Sequence, residues 1–483
     1  MAKKSIAKNY AYNLIYQVLT LILPLITTPY ISRVLGAEGI GIYGYTNSIV
    51  TYFILFGSLG VALYGQREIA YAQENSEKRM KTFVEIVSFR FITVFIAVLV
   101  YIFAFMLQGE YKSYYSILLF ALIAVAFDIS WFFQGLEEFK KTVIRNIIVR
   151  LTSVTLVFIF VKNPSDLSKY ILIYSLADFI GNLSLWLYLP KYFKGQNIKN
   201  VNVIRHISPI IMLFIPQIAN QIYNMLDKTM IGYIISDKSE VGYYEQAQKV
   251  IRLLITIVTS LGVVMIPRMA STFASGDKEK VNEYMKKSFN FVFFLSFPLI
   301  FGIISISKEF VPIFFGQGYD KAVILINIIS PVVLLMGIAN VIGTQYLLPT
   351  KRQKEYTISI ILGLIINFIL NWILITKWDS IGASIATVLS QLVVDILQLK
   401  NIKNEIDLKS IFKVSIKYLF AGMLIFVFCQ IVKIFNLSNA ISIMAQIIVG
   451  AIVYFGTLII LKDEYLYSFI LKIIDVIKRK LKK

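Results

Sequence analysis

Ala440-Ile-Ser-Ile-Met-Ala-Gln-Ile-Ile-Val-Gly-Ala-Ile-Val-Tyr-Phe-Gly-Thr-Leu-Ile-Ile-Leu461 contains no Asp, Glu, Lys, Arg or His, and Lys433 and Lys462 stand at its two edges. As a helix such a stretch is about 33 Å long at about 1.5 Å per residue, close to the roughly 30 Å hydrocarbon thickness of a bilayer. Only a helix or a closed barrel satisfies every backbone N–H and C=O where no water is present. The segment therefore reads as a membrane-spanning helix.

Working outward from it, the same kind of run recurs along the whole chain. In the first half the runs lie near Ala11–Ser32, Gly41–Leu63, Phe83–Leu107, Tyr114–Phe133, Val143–Val161 and Tyr170–Leu189. In the second half they lie near Ile210–Ile235, Tyr243–Ile266, Phe289–Ser307, Ala322–Leu347, Tyr356–Thr376, Ile381–Leu399, Phe412–Val432 and Ala440–Leu461. The expected fold is thus an all-α polytopic membrane protein of about 14 spans. Hydrophobic residues make up 57% of the 483 and charged ones 16%, below the roughly 25% of soluble domains, so no soluble domain is expected.

The net charge of +20 sits in short gaps and tails rather than on one amphipathic surface, which argues against a nucleic-acid partner and for topogenic and lipid-contacting roles. Gaps alternate in charge. The N-terminal tail, the 67–82, 137–145, 191–205, 268–287, 351–354 and 400–413 gaps and the tail beyond Lys472 hold about 33 Lys and Arg, against about 9 in the intervening gaps. Basic gaps face the cytoplasm, which expects both termini there in a cytoplasmic (inner or plasma) membrane. The N-terminal run after Lys3, Lys4 and Lys8 contains Pro24 and Pro29 and no small-residue cleavage site follows, so it is expected to be retained as the first span.

External gaps reach only about a dozen residues, leaving little room for a catalytic domain outside the membrane. The lone Cys429 excludes an intramolecular disulfide, and the lone His206, preceding Pro209, reads as an interfacial residue. No metal cluster, phosphate-binding loop or nucleophile constellation occurs, so no cofactor, metal or catalytic residue is expected.

Ala37–Ser88 can be laid on Asp237–Ser288 almost without gaps. Leu59-Gly-Val61 then matches Leu261-Gly-Val263, Arg67 matches Arg268, and later Trp131–Lys140 takes the place of Gln345–Lys354. The copies are separated by an even number of spans and so share one orientation, the pattern of two lobes related by an axis along the membrane normal. The expected organisation is an N-terminal lobe over 1–205 with helices 1–6 and a C-terminal lobe over 206–403 with helices 7–12. Helices 13–14 and a basic tail follow over 404–483.

Ionisable residues near mid-membrane cost about 2.5–3.5 kcal/mol on insertion scales and face a cavity or a partner. They are Asp128, Asp178, Asp227, Lys228, Lys249, Arg252 and Asp395, with Arg33, Arg90 and Arg150 nearer the span ends. Asn220, Gln221, Asn224, Asp227 and Lys228 give the seventh span a polar stripe. Glu245, Lys249 and Arg252 share one face of the eighth. Two such stripes suit a water-filled cavity; buried ion pairing, for instance of Asp227 with Arg252, is the plainer alternative.

Asn9-Tyr-Ala-Tyr-Asn-Leu-Ile-Tyr16, Pro29-Tyr-Ile-Ser-Arg-Val-Leu-Gly36 with Gly39-Ile-Gly-Ile-Tyr43, and Trp131-Phe-Phe-Gln-Gly-Leu-Glu137 resemble the polysaccharide-export family. Its members are Wzx-type oligosaccharide flippases within the multidrug and oligosaccharidyl-lipid flippase superfamily. The resemblance implies two six-helix lobes around a central cavity plus two C-terminal helices. It implies a non-enzymatic activity: transferring an undecaprenyl-diphosphate-linked oligosaccharide repeat unit from the inner to the outer leaflet by alternating access, for surface polysaccharide biosynthesis. A polysaccharide polymerase and a chain-length regulator are the partners it implies.

On that reading Arg33, Lys228, Lys249 and Arg252 attract the diphosphate and Asn220, Gln221 and Asn224 contact sugar, while Asp128, Asp178, Asp227 and Asp395 are candidates for ion coupling. The alternatives are a multidrug or cation antiporter of the same superfamily, a peptidoglycan-precursor flippase, and a membrane polysaccharide polymerase.

Overall fold

The computed structural model describes residues 6–107, 109–193, 200–468 and 471. Lys3, Lys4, Lys194, Lys199 and the basic tail beyond Leu471 lie outside the described residues.

Among the described residues seventeen α-helices follow one another: α1 Ile6–Ser58, α2 Val61–Tyr71, α3 Ser76–Tyr101, α4 Lys112–Ala126, α5 Ser130–Gly135, α6 Phe139–Phe160, α7 Leu167–Trp186, α8 Pro190–Phe193 and α9 Ile207–Ile234, then α10 Ser239–Thr259, α11 Gly262–Ala274, α12 Lys278–Phe314, α13 Asp320–Ile329, α14 Val332–Ala339, α15 Gln353–Ile402, α16 Leu408–Lys433 and α17 Asn439–Ile460. No strand occurs among the described residues. Eleven helical segments among them are long and apolar enough to cross a membrane.

Two of the helices contain a sharp internal break. In α1 the helix breaks at Gly36 (φ 68°, ψ 177°), a conformation essentially closed to residues with a Cβ. In α15 it breaks at Trp378 and Asp379. Each bent helix covers two of the runs read from the sequence, so two expected gaps are reduced to one or two non-helical residues.

The chain divides into two compact units, Met1–Gly242 and Tyr243–Lys483. The division falls within α10. Helix α9 lies in the first unit, where it packs on α1 and α2.

The repeat is visible in the backbone. Asn75 caps α3 by accepting from Lys78 N–H at 2.9 Å, and Asp277 caps α12 by accepting from Lys280 N–H at 3.0 Å. Glu137 (φ 56°) and Lys351 (φ 64°) are both left-handed. Around the first, Glu138 N–H donates to Phe133 O at 2.7 Å; around the second, Arg352 N–H donates to Leu347 O at 2.8 Å. These are the same helix-ending turn at matching positions of the two copies.

Within the first unit, Trp131, Phe132 and Phe133 form a buried aromatic core against Phe83. Gly65 exists for this core: an added Cβ would lie 2.4 Å from the Trp131 ring. A second close approach joins α1 to Lys238 and the first turn of α10. A Cβ on Gly41 would lie 1.6 Å from Lys238 O, and one on Gly242 would lie 2.0 Å from Ala37 O. In the second unit α16 and α17 pack on α12, where Tyr454 OH donates to Phe294 O at 2.7 Å.

Candidate functional site

Helix α9 carries Gln221, Asn224 and Lys228 at three- and four-residue spacing, so they share one face. Gln221 and Asn224 are exposed and Lys228 is half-buried. Asn220 belongs to the same helix, and its side chain lies outside the described residues. Neighbouring Asp227 turns inward and is buried. Beside it, Thr229 Oγ1 lies 2.9 Å from Ser48 Oγ and 3.2 Å from Tyr52 OH, fixing α9 to α1. Arg33 is exposed on α1, one turn before the Gly36 break. The end of α9 is closed by Lys238, whose ammonium donates to Gly232 O at 2.7 Å and Ile235 O at 2.9 Å. Burial lowers the Lys238 pKa, opposed by the carboxylates of Glu110 and Asp237.

In the second unit, Lys249 Nζ lies 3.8 Å from Glu245 Oε1 one turn earlier on α10, and Arg252 is exposed. Helix α10 is tied to α15 through Tyr244 OH and Thr387 Oγ1 at 2.9 Å, and Gln248 Nε2 donates to the same Tyr244 oxygen at 2.7 Å. Asp395, on α15, is 2% exposed. Gln391 Nε2 donates to its Oδ1 at 3.1 Å, and its Oδ2 has no hydrogen-bond partner among the described residues. That carboxyl stands apart from Lys249 in its hydrogen bonding.

The first unit contains a denser charged cluster, built where α4 breaks before α5. Carbonyls released by the break are taken by side chains: Asn182 Nδ2 donates to Ala124 O at 2.8 Å, Trp186 Nε1 to Phe127 O at 2.8 Å and Trp131 Nε1 to Asp128 O at 3.1 Å. Arg90 also donates to Asp128 O. Irregular backbone at membrane depth requires such substitutes for water. The Asp128 carboxylate lies 3.9 Å from both Arg90 Nη1 and Arg145 Nη2, and Arg145 Nη1 donates to Asn182 Oδ1 at 3.0 Å. Asp178 lies within electrostatic reach of Arg150 and Arg145. Arg145 is thus near both carboxylates, and the cations beside Asp128 come from α3 and α6.

Arg145, which the charge pattern puts in a basic gap, sits inside α6 and reaches Asp128. A separate polar cluster surrounds His206, which is 2% exposed. Tyr64 OH and His206 Nδ1 are 2.6 Å apart, and His206 Nε2 lies 2.9 Å from Glu85 Oε2. Glu85, fully buried, also pairs with Arg205 and accepts from Asn202 N–H at 2.8 Å. This carboxylate clamps the segment that leads into α9.

The family described as "Polysaccharide biosynthesis protein" matches residues 6–273, and the MatE family matches residues 211–373. The "Putative O-antigen transporter" of Escherichia coli (strain K12) is 28% identical over 407 residues, covering 83% of this chain and 98% of that protein. The solved structure of the lipid II flippase MurJ in an inward closed conformation is similar with a TM-score of 0.72 at 17% identity, covering 94% of this chain and 99% of that one. An inward-facing multidrug resistance MATE family transporter of the MOP superfamily is similar with a TM-score of 0.63 at 12% identity, covering 80% of this chain and 95% of that one. At those identities the two structures establish the fold.

Proposed function

The chain belongs to the polysaccharide biosynthesis protein family, and from that premise we propose that it is a flippase for a lipid-linked oligosaccharide. The cargo is an undecaprenyl-diphosphate-linked repeat unit, moved from the inner to the outer leaflet of the cytoplasmic membrane by alternating access. Residues 1–205 and 206–403 act as its two lobes, and both termini are cytoplasmic.

The observation that carries this reading is the polar row Gln221, Asn224 and Lys228 along α9, exposed or half-buried in a helix otherwise rich in Ile, Leu and Met. A sugar hydroxyl left unsatisfied in hydrocarbon costs several kcal/mol, so a repeat unit crosses only along such a row. Lys228, Lys249, Arg252 and Arg33 attract the diphosphate by charge-assisted hydrogen bonds, and Asn220, Gln221 and Asn224 contact sugars. Transport of a cationic drug, the other activity associated with this fold, would be opposed by the Lys228 cation within that row. A polymerase and a chain-length regulator take the product onward.

The membrane potential supplies a direction. Two negative charges moved outward across 100 mV, negative inside, release about 4–5 kcal/mol. Asp395, Asp227, Asp128 and Asp178 are the candidates for additional ion coupling. Collapsing the potential is expected to slow export strongly; export that persists at full rate after loss of both potential and ion gradients would exclude both sources.

The direct test is the double variant Lys228→Ala/Arg252→Ala. Export is expected to fall roughly tenfold or more, with the lipid-linked repeat unit accumulating in the inner leaflet, where an impermeant sugar-modifying reagent cannot reach it. Wild-type export at a normal protein level would refute the assignment.

A further inference from the structure

Helices α6 and α7 enclose between them a groove of about 940 Å³. Among the described residues its walls come from these two helices and the residues directly following α7. Apolar side chains such as Ile144, Ile148, Leu156 and Ile180 make up most of it. From Lys140 to Leu156 it runs about 24 Å at about 1.5 Å per residue, most of the hydrocarbon thickness.

The groove is apolar along its length and cationic at one end. Lys141 is held by three rings, with its Nζ 4.8 Å from the Phe133 centroid, 5.1 Å from Tyr188 and 5.0 Å from Tyr192. It also donates to Tyr192 OH at 2.9 Å and pairs with Glu138. Lys191 lies beside it, 4.9 Å over the Tyr192 ring. Lys140 lines the same mouth and is exposed. One turn further in, Arg145 reaches the groove with an Nε that has no hydrogen-bond partner among the described residues. The carboxylates of Glu137 and Glu138 leave this end with a net positive charge. Basic residues at the mouth of an apolar cleft between two spanning helices match an anionic lipid in both of its parts.

We propose that the α6–α7 groove is a binding site for an anionic glycerophospholipid, with an acyl chain lying along the groove and the phosphate held between Lys140 and Lys191. The Lys/Arg distribution along the chain places that end of the groove in the cytoplasmic leaflet. None of the α9 polar row is among its described lining residues, and its occupation does not depend on what the protein transports.

Native mass spectrometry of the full chain in detergent, titrated with phosphatidylglycerol and phosphatidylcholine of identical acyl chains, tests this. The wild-type protein is expected to bind phosphatidylglycerol about tenfold more tightly. Lys140→Ala/Lys191→Ala is expected to bring the two lipids to parity. Ile180→Trp, which fills the groove without altering its charge, is expected to weaken both. Equal affinities in the wild-type protein, or a preference that survives the lysine substitutions, would overturn the proposal. Displacement of phosphatidylglycerol by equimolar undecaprenyl phosphate would also overturn it, assigning the groove to the isoprenoid carrier instead.

Discussion

Glu85→Ala is expected to destabilise the protein by about 3 kcal/mol, the low end of the range for removing one partner of a buried ion pair. The low end applies because the Arg205 side chain, 44% exposed, can turn to solvent, whereas the His206 side chain, 3% exposed, cannot. The substitution also leaves Asn202 N–H without its acceptor. Glu85→Gln retains an acceptor for that N–H and removes only the charge, so its loss should be smaller. Thermal unfolding of the detergent-purified protein measures both. A midpoint for Glu85→Ala within about a degree of wild type would mean that the carboxylate does not hold the segment leading into α9.

The second large effect is expected at Gly41 and Gly242. The atoms that an added Cβ would strike, Lys238 O and Ala37 O, are backbone atoms of the packed segments and cannot rotate away. Gly41→Ala or Gly242→Ala must therefore push α1 off the 238–242 segment, at a cost of about 3 kcal/mol and with a matching fall in folded yield. Gly456, in the last turns of α17, has no neighbouring atom within 4 Å of the place an added methyl would take. Gly456→Ala is accordingly expected to be neutral or to stabilise by up to about 1 kcal/mol through helix propensity. Similar behaviour of all three variants in the same unfolding assay would show that the α1 contact yields.

What the sequence made legible follows from how local each feature is. Bilayer thickness alone demands runs such as Ala440–Leu461, so the spans could be read without knowing their neighbours. The repeat was readable because Leu59-Gly-Val and Leu261-Gly-Val keep both identity and spacing. The two sharp bends were not: Gly36 looks like any glycine in a short gap, and only its dihedrals show that a single residue suffices. The same holds for the charged network. Asp128 stood out as an expensive charge, but its partners Arg90 and Arg145 lie on other helices, and a charge at the edge of an apolar run carries no sign that it points inward. Glu85 sits within the third run, and its histidine partner is 121 residues away, so nothing local marks it as a clamp.

The matching turns at Glu137 and Lys351 show what the two copies hold in common. Neither position holds glycine, and the flanking residues differ, Trp131 against Gln345 and Phe133 against Leu347, yet both backbones enter the left-handed region and close the same hydrogen bond. A turn of this kind is set by the helix end it closes rather than by residue identity: Lys462, outside the repeat, makes it too, with Asp463 N–H donating to Leu458 O at 2.9 Å. Side chains there are therefore free to differ in charge, and the corresponding place presents Glu138 in one copy and Arg352 in the other.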